Sequence, residues 1–330
     1  MSASTHPLHA NDPLLPEAKM HLVMPGSPVV GRVVSNTLCM KGKSASFVRH
    51  VAIDVSGTPL QGSFLAGQSF GVVPPGVDEL GRPHRVRLYS ISCPSWGEDG
   101  DGAVISTTPK RLLDERRPIR PQDDPHDHRL FVGVASNYLC DLRPGDPVNL
   151  SGPNGKRFVL PLDTEAHDYL FLATGTGIAP FRGMAIELFR RAAGPTRSRV
   201  ELAMGAPYTT DLLYDDLFRE IAERHPNFRY HPVISRERRP DGRRGQYVHQ
   251  FIEERLEHFG ELLASPRTLI YICGLSGMQL GVFQMLARHR LDRGYLTIQE
   301  EIASIPPDEW TEEEIKRRVR STHRCALEVY

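Results

Sequence analysis

What the sequence lacks narrows it first. Its five cysteines, Cys39, Cys93, Cys140, Cys273 and Cys325, are odd in number, widely spread and nowhere spaced as CxxC. The ligand spacing of a zinc ribbon or an iron–sulfur cluster is therefore missing, and free thiols in a reducing compartment fit best. No apolar run approaches the roughly 20 residues that span a bilayer, so no integral membrane segment is expected. Excess charge is lacking too, since Lys plus Arg and Asp plus Glu each number 40. That balance argues against bulk binding of nucleic acid, while leaving room for local patches of either sign. The first 28 residues contain no arginine and no apolar signal region. They are read as a flexible arm, 1–28, and the cytoplasm is the expected location.

A chain of 330 residues suggests two domains. Through 29–163, short segments rich in Val, Ile, Phe and Tyr, such as VVGRVVSN, QSFGVVPPG and HRVRLYSISC, are broken by Gly, Pro and Asp. This is the rhythm of an antiparallel β-barrel. Through 164–330 the rhythm changes. YLFLAT, VELAMGA, FRYHPVIS and TLIYICG are apolar strands, each followed by a segment of helical period. After Pro180, for example, Phe181, Met184, Ala185, Leu188 and Phe189 fall on one face. Strand alternating with helix predicts a doubly wound α/β domain around a parallel sheet.

Two segments carry candidate chemistry. ATGTGIAPFRG runs from a strand through a glycine turn into a helix. Gly175 and Gly177 allow backbone amides to approach a diphosphate, the helix start offers unpaired N–H groups, and Thr174 and Thr176 add hydroxyls. A turn that binds nothing is the plain alternative, because this is not the full GxGxxG fingerprint. In RVRLYS, Arg87, Tyr89 and Ser90 alternate with Val86 and Leu88, so the polar three are expected to share one period of the strand. An aromatic ring can stack on a flavin and an arginine can pair with a pyrophosphate; the alternative is an edge strand with a surface tyrosine. His126 and His128 form a lone HxH in a polar loop, read as solvent-facing, and no metal site is expected.

Nine blocks in order, GQSFGVVPPG, RVRLYS, VASNYLCDLRPGD, SGPNGK, ATGTGIAPFRG, GAPYTTDLLYDD, ISRE, ICGLSGM and a terminal EVY, resemble the plant-type ferredoxin–NADP(+) reductase family over nearly the whole chain. The resemblance implies a barrel that holds FAD, an α/β domain that takes NADP(H), and electron exchange with ferredoxin or flavodoxin. It implies that Arg87, Leu88, Tyr89 and Ser90 form the flavin strand, and that Val134, Ala135 and Ser136 open a helix facing the FAD pyrophosphate. Tyr89 and Tyr330 would cover the two flavin faces, with Tyr330 a lid that nicotinamide displaces. Cys273 would lie against the nicotinamide, Gly274 and Leu275 would join it in binding NADP, and Glu328 would support hydride transfer. Ser235 and Arg236 would grip a 2′-phosphate and Tyr247 would stack on its adenine. Arg85, Val86 and Lys110 would form the carrier-binding edge. Ser90, Cys273, Glu328 and Tyr330 are thus the expected catalytic residues.

Three positions depart from the family pattern. Gly245 stands two residues before Tyr247, where Lys or Arg is common, with Arg243 and Arg244 as possible substitutes. Asp114 stands where an aromatic often packs on the FAD adenine, so that stacking is lost or moved to another side chain. Ser276 stands where a basic residue is frequent. Arg82, Arg111, Arg116, Arg117 and Arg120 add to a basic rim that would steer an acidic carrier, or form a solvated loop. A reductase serving an oxygenase, and a non-catalytic nucleotide-binding adaptor, are the rival readings.

Overall fold

The computed structural model describes residues 11–44, 46–115, 124 and 128–330. The chain divides into two compact units, one of Ala18–Gly155 and one of Lys156–Tyr330 together with the segment that ends at Glu17.

In the first unit, strands β1 (Val29–Leu38), β2 (Arg49–Asp54), β3 (Ser69–Val73), β4 (Arg87–Ser90) and β5 (Val104–Thr107) pair antiparallel. Then come β6 (Leu113–Glu115), β7 (Leu130–Val132), helix α1 (Val134–Asp141) and strand β8 (Pro147–Asn154). Six of the strands form one sheet in the order β4-β3-β8-β1-β2-β5. Its two edges meet. Ile91, next after β4, bridges Thr107 of β5, and the Ser92 amide donates to the Ser106 carbonyl at 2.9 Å. The sheet is thereby a closed barrel, and closure removes the unpaired edges a flat sheet would expose. Val33, Val51, Ile53, Phe70, Val72, Ile91, Ile105, Val148 and Leu150 fill it. β6 and β7 stand apart as a two-stranded ribbon, exposed at every residue. Of the segment 1–28, residues 1–10 lie outside the described residues; Val23 is buried and bridges Gly152.

In the second unit the chain alternates strand and helix. β9 (Asp168–Thr174), α2 (Ala179–Arg190), β10 (Val200–Ala206), α3 (Asp215–Arg224), β11 (Phe228–Ile234), α4 (Val248–Glu253), α5 (Leu256–Ala264), β12 (Thr268–Gly274) and α6 (Ser276–Arg288) follow one another. A small antiparallel pair, β13 (Leu296–Ile298) with β14 (Val319–Ser321), and a last strand, β15 (Cys325–Val329), complete it. The five parallel strands stand in the order β11-β10-β9-β12-β15. The central strand β9 is apolar on both faces, as a sheet covered on both sides requires. Leu170 and Leu172 join the core made with Ile252, Phe259, Val282 and Phe283 from α4, α5 and α6. Phe171 points the other way and stacks on Phe181 of α2, ring centroids 4.9 Å apart. From β9 the order runs outward through β10 to β11, then the chain returns to lay β12 on the other side of β9. That reversal makes the carboxyl ends of β9 and β12 the switch point where such sheets take ligands.

Candidate active site

The barrel unit presents β4. Gly71 on β3 lets it lie close, since a Cβ there would stand 2.3 Å from Ser151 Oγ and 2.6 Å from Val86 Cγ2. Tyr89 opposes Phe70 and Leu88 opposes Gly71. Period two then puts Arg87 and Tyr89 on one face and Leu88 and Ser90 on the other. Ser90 therefore does not share a face with Arg87 and Tyr89, contrary to the expectation from sequence, because β4 runs unbroken and adjacent residues 89 and 90 point oppositely. Tyr89 packs against the barrel core, and burial pushes its phenol well above the usual range, so it remains a neutral ring. Leu88 is 58% exposed. The Arg87 guanidinium reaches only its neighbour's carbonyl, Val86 O at 3.2 Å, among the described residues.

Helix α1 begins at Val134 with no side-chain cap. Its first turn is held from behind instead. Ser136 Oγ accepts from the Leu112 amide and donates to Gly133 O, each at 3.2 Å, and Asn137 Nδ2 donates to Leu112 O and Gly133 O at 2.9 and 2.8 Å. Val134 is exposed and Ala135 buried. An uncapped helix start, an uncommitted guanidinium, a neutral ring and an exposed leucine are what a flavin bearing a diphosphate needs. The residues present fit FAD.

In the α/β unit the glycine turn 175–178 links β9 to α2, and Gly175 has φ +54°. Two glycines allow contact that no other residue permits. At Gly177 a Cβ would lie 2.1 Å from Cys273 O; at Gly274, where φ is +141°, it would lie 2.1 Å from Thr174 Oγ1. Thr174 Oγ1 accepts from the Leu275 amide at 3.0 Å, tying the two strand ends across the switch point. Cys273 pairs with Glu328, and Gly274 with Val329, in the parallel register of β12 and β15. The Cys273 thiol is pushed far up by burial and then by the Glu328 charge, so it stays protonated. Tyr330 follows β15. Its amide donates to Gly274 O at 3.0 Å, its hydroxyl lies 2.8 Å from Thr176 Oγ1, and the residue as a whole is 62% exposed. Thr176, Gly177, Cys273, Gly274, Glu328 and Tyr330 thus share one end of the sheet.

The loop after β11 carries Ser235 and Arg236. Their amides donate to Ala206 O and Pro207 O at 3.0 and 2.9 Å, which fixes the loop against the end of β10. Gly245 has a steric reason: a Cβ there would stand 2.5 Å from Ile234 O and 2.6 Å from Ser235 O. The residue that looked like a missing cation is a close backbone approach, closed by the Gln246 amide donating to Ile234 O at 2.9 Å. The two arginines before it are not equivalent. Arg243 is spent on Asp241 at 2.7 Å and faces Glu254 at 3.7 Å, whereas Arg244 and Arg236 are exposed and meet no acid among the described residues. Arg244 lines a cavity of about 400 Å³ with Arg239, Gln246 and Gln250, and the carboxylates of Glu253 and Glu254 line it too. Tyr247 is 62% exposed, its ring parallel to that of His249 with centroids 6.0 Å apart. Sequence spacing could not separate Arg243 from Arg244, because the acids that occupy Arg243 lie at two different distances along the chain. Ser235 is half-buried, its hydroxyl donating to Ala206 O at 3.3 Å, beside the exposed Arg236; with the glycine cradle, this hydroxyl–guanidinium pair fits a dinucleotide with an extra phosphate.

Arg85 and Lys110 are exposed and Val86 is partly covered. Arg82 is paired with Asp78 at 2.8 Å, and Arg111 with Asp141. Arg116, Arg117, Arg120 and His126 lie outside the described residues; His128 pairs with Glu115. Ser276 donates its hydroxyl to Glu312 at 3.0 Å.

Residues 171–283 match the family described as the oxidoreductase NAD-binding domain. Over 336 residues the chain is 33% identical to a ferredoxin–NADP reductase of Picosynechococcus sp., covering 100% of this chain and 76% of that protein. It is 36% identical over 267 residues to one of Spirulina sp., covering 80% and 87%. Ferredoxin–NADP(+) reductase from Plasmodium falciparum superposes with a TM-score of 0.67 at 23% identity over 94% of this chain and 99% of that one, a likeness of fold. On the strength of these relatives, the chain belongs to the ferredoxin–NADP reductase family.

Proposed function

We propose that this chain is an FAD-dependent reductase that exchanges hydride with NADP(H) and single electrons with ferredoxin or flavodoxin. The observation that carries the reading is the gathering of a glycine turn, Cys273, Glu328 and Tyr330 at the switch point of one parallel sheet. FAD, when bound, supplies the conversion between two-electron and one-electron chemistry, and the chain supplies binding and orientation. Arg87 and the amides that open α1 at Val134, Ala135 and Ser136 hold its diphosphate. Leu88 and Tyr89 hold its ring system, and Ser90 offers a hydroxyl to its edge.

The turn at Gly175 and Gly177 receives the NADP(H) diphosphate, while Ser235, Arg236 and Tyr247 hold the 2′-phosphate and adenine. Tyr330 gives way to the nicotinamide, which then rests against Cys273, Gly274 and Leu275. A protonated thiol presents an uncharged, polarisable floor there, and Glu328 holds a proton-accepting carboxylate beside it. Arg85, Val86 and Lys110 form the carrier-docking edge, steering an acidic partner by local charge despite a net formal charge of zero. All five cysteines stand outside any disulfide, which supports a reducing compartment, and the cytoplasm is the proposed location. Among the described residues no helix is long and apolar enough to cross a membrane.

Anaerobic titration of the yellow protein with NADPH and with NADH tests the reading. Bleaching of the flavin bands at far lower NADPH than NADH is expected. A colourless protein that takes up no flavin refutes it.

A further inference from the structure

Among the described residues, the exposed ribbon of β6 and β7 pairs with no strand of the barrel sheet. All six of its residues are exposed, and four of them are apolar: Leu113 56%, Leu130 73%, Phe131 52% and Val132 48%. Register decides how they are shared between its faces. Asp114 lies directly opposite Phe131, so these two side chains stand on one face; Leu113 and Val132 stand together on the other. Directly opposed residues have Cβ atoms about 5 Å apart, so an aromatic ring is present one strand away from the position that Asp114 fills.

The two faces are not alike in what lies beyond them. Leu112 and Gly133, one step further along the ribbon, are joined by the Gly133 amide donating to Leu112 O at 3.0 Å. A Cβ at Gly133 would point at Ser136 Oγ, 2.7 Å away, and at Leu112 Cβ, 2.8 Å away. The Gly133 face therefore looks onto the first turn of α1, and by parity it is the Phe131 face. A half-exposed phenyl beside an uncapped helix start is matched to a ligand carrying an anion and a flat aromatic base.

We propose that Phe131 is the stacking platform for the adenine of FAD, replacing from the neighbouring strand the ring that position 114 lacks. The inference rests on the FAD reading above and names a residue for the part of that ligand still without one. The phosphates lie against the α1 amides, and the base covers the phenyl beside Asp114. Asp114 stays at the rim, its Oδ1 accepting from the Glu115 amide at 2.8 Å.

The test uses the full-length apoprotein titrated with FAD and, separately, with FMN, which lacks the adenylate, following flavin fluorescence. Phe131→Ala should weaken FAD binding about 5- to 150-fold, the range of base–aromatic stacking, and Phe131→Tyr should restore it. FMN affinity should not change. Leu113→Ala removes a comparable exposed side chain from the opposite face and should leave FAD affinity unaltered. An unchanged FAD affinity in Phe131→Ala overturns the inference. So does equal weakening by Leu113→Ala, or equal loss of FMN, because the ribbon as a whole would then be responsible. Wild-type protein that binds neither flavin overturns the FAD reading itself, and this inference with it.

Discussion

Replacing Gly274 by alanine asks whether the switch point is built as tightly as its contacts imply. Its φ of +141° is a conformation that L side chains rarely adopt, and holding a non-glycine residue in such a region costs about 1–3 kcal/mol. Space is the second obstacle. The new Cβ would stand 2.1 Å from Thr174 Oγ1 and 2.9 Å from Thr174 O, and the backbone atom cannot rotate away. Overpacking of this kind adds about 1–3 kcal/mol. Together the destabilisation is about 2–6 kcal/mol, which at about 2–4 °C per kcal/mol for a unit of this size lowers its melting temperature by roughly 4–24 °C.

The loss should be local before it is global. Thr174 Oγ1 holds the Leu275 amide, so moving the hydroxyl opens the loop that meets the nicotinamide. NADP(H) affinity should fall along with stability, while bound flavin is kept. Differential scanning calorimetry with NADP(+) titration of the holoprotein reads both effects. Gly260 is the matched control: a Cβ there meets nothing within 4 Å, and the residue lies inside α5. Gly260→Ala should raise stability by about 0.5–1 kcal/mol. A Gly274→Ala protein with wild-type melting and wild-type NADP(+) affinity would refute the steric argument.

Two further outcomes are expected. Arg244→Ala should weaken NADPH about tenfold, the scale of one charge-assisted contact, and leave NADH unaffected, while Arg243→Ala changes NADPH little because that guanidinium is committed to Asp241; equal effects in steady-state kinetics would show that the ion pair does not withhold it. Glu201 is wholly buried, and its carboxylate accepts from Arg199 at 2.9 Å, His231 at 2.6 Å and His258 at 3.0 Å. Burial alone would raise its pKa, but these donors outweigh it and hold it below the usual 4.5. A depressed folded-state value contributes stability that is present above pH 4.5 and lost as pH falls through the folded value. Glu201→Gln should therefore cost about 3 kcal/mol at neutral pH and flatten the acid limb of a melting-temperature profile; an unchanged profile would remove Glu201 from it.

Much of this architecture was legible because it is written in local period. Strand β9 shows its double burial as an unbroken apolar run, and Pro180 marks the first turn of α2. What escaped is what depends on chain segments meeting. The barrel closes through Ile91 and Thr107, residues whose pairing no local pattern announces. The ring of His249 fills the place a Cβ on Gly281 would take, so a small residue that looks like an interruption of α6 is required there once its neighbour is known. Glu201 reads as a solitary acid inside VELAMGA; Arg199 is near in sequence, but its two histidine partners come from β11 and α5, beyond 25 residues away in the chain.

The same limit explains the departures from the family pattern, and it gives them a common physical form. A position compared along one sequence asks whether a chemical group is present at that point; the folded chain asks whether it is present in that space. Gly245 lacks a side chain because the backbone of Ser235 fills the place a Cβ would take, and the cation beside it, on Arg244, is left exposed and without an acid partner among the described residues. Asp114 lacks a ring, yet its cross-strand partner Phe131 carries one. In both cases the missing group stands on a neighbour, one residue along the loop or one rung across the ribbon. Substitutions at such pairs should therefore compensate each other: a ring restored at position 114 should recover FAD affinity lost in Phe131→Ala. At position 245 any side chain meets the carbonyl of Ser235, so restoring the cation there should disrupt the loop rather than rescue it.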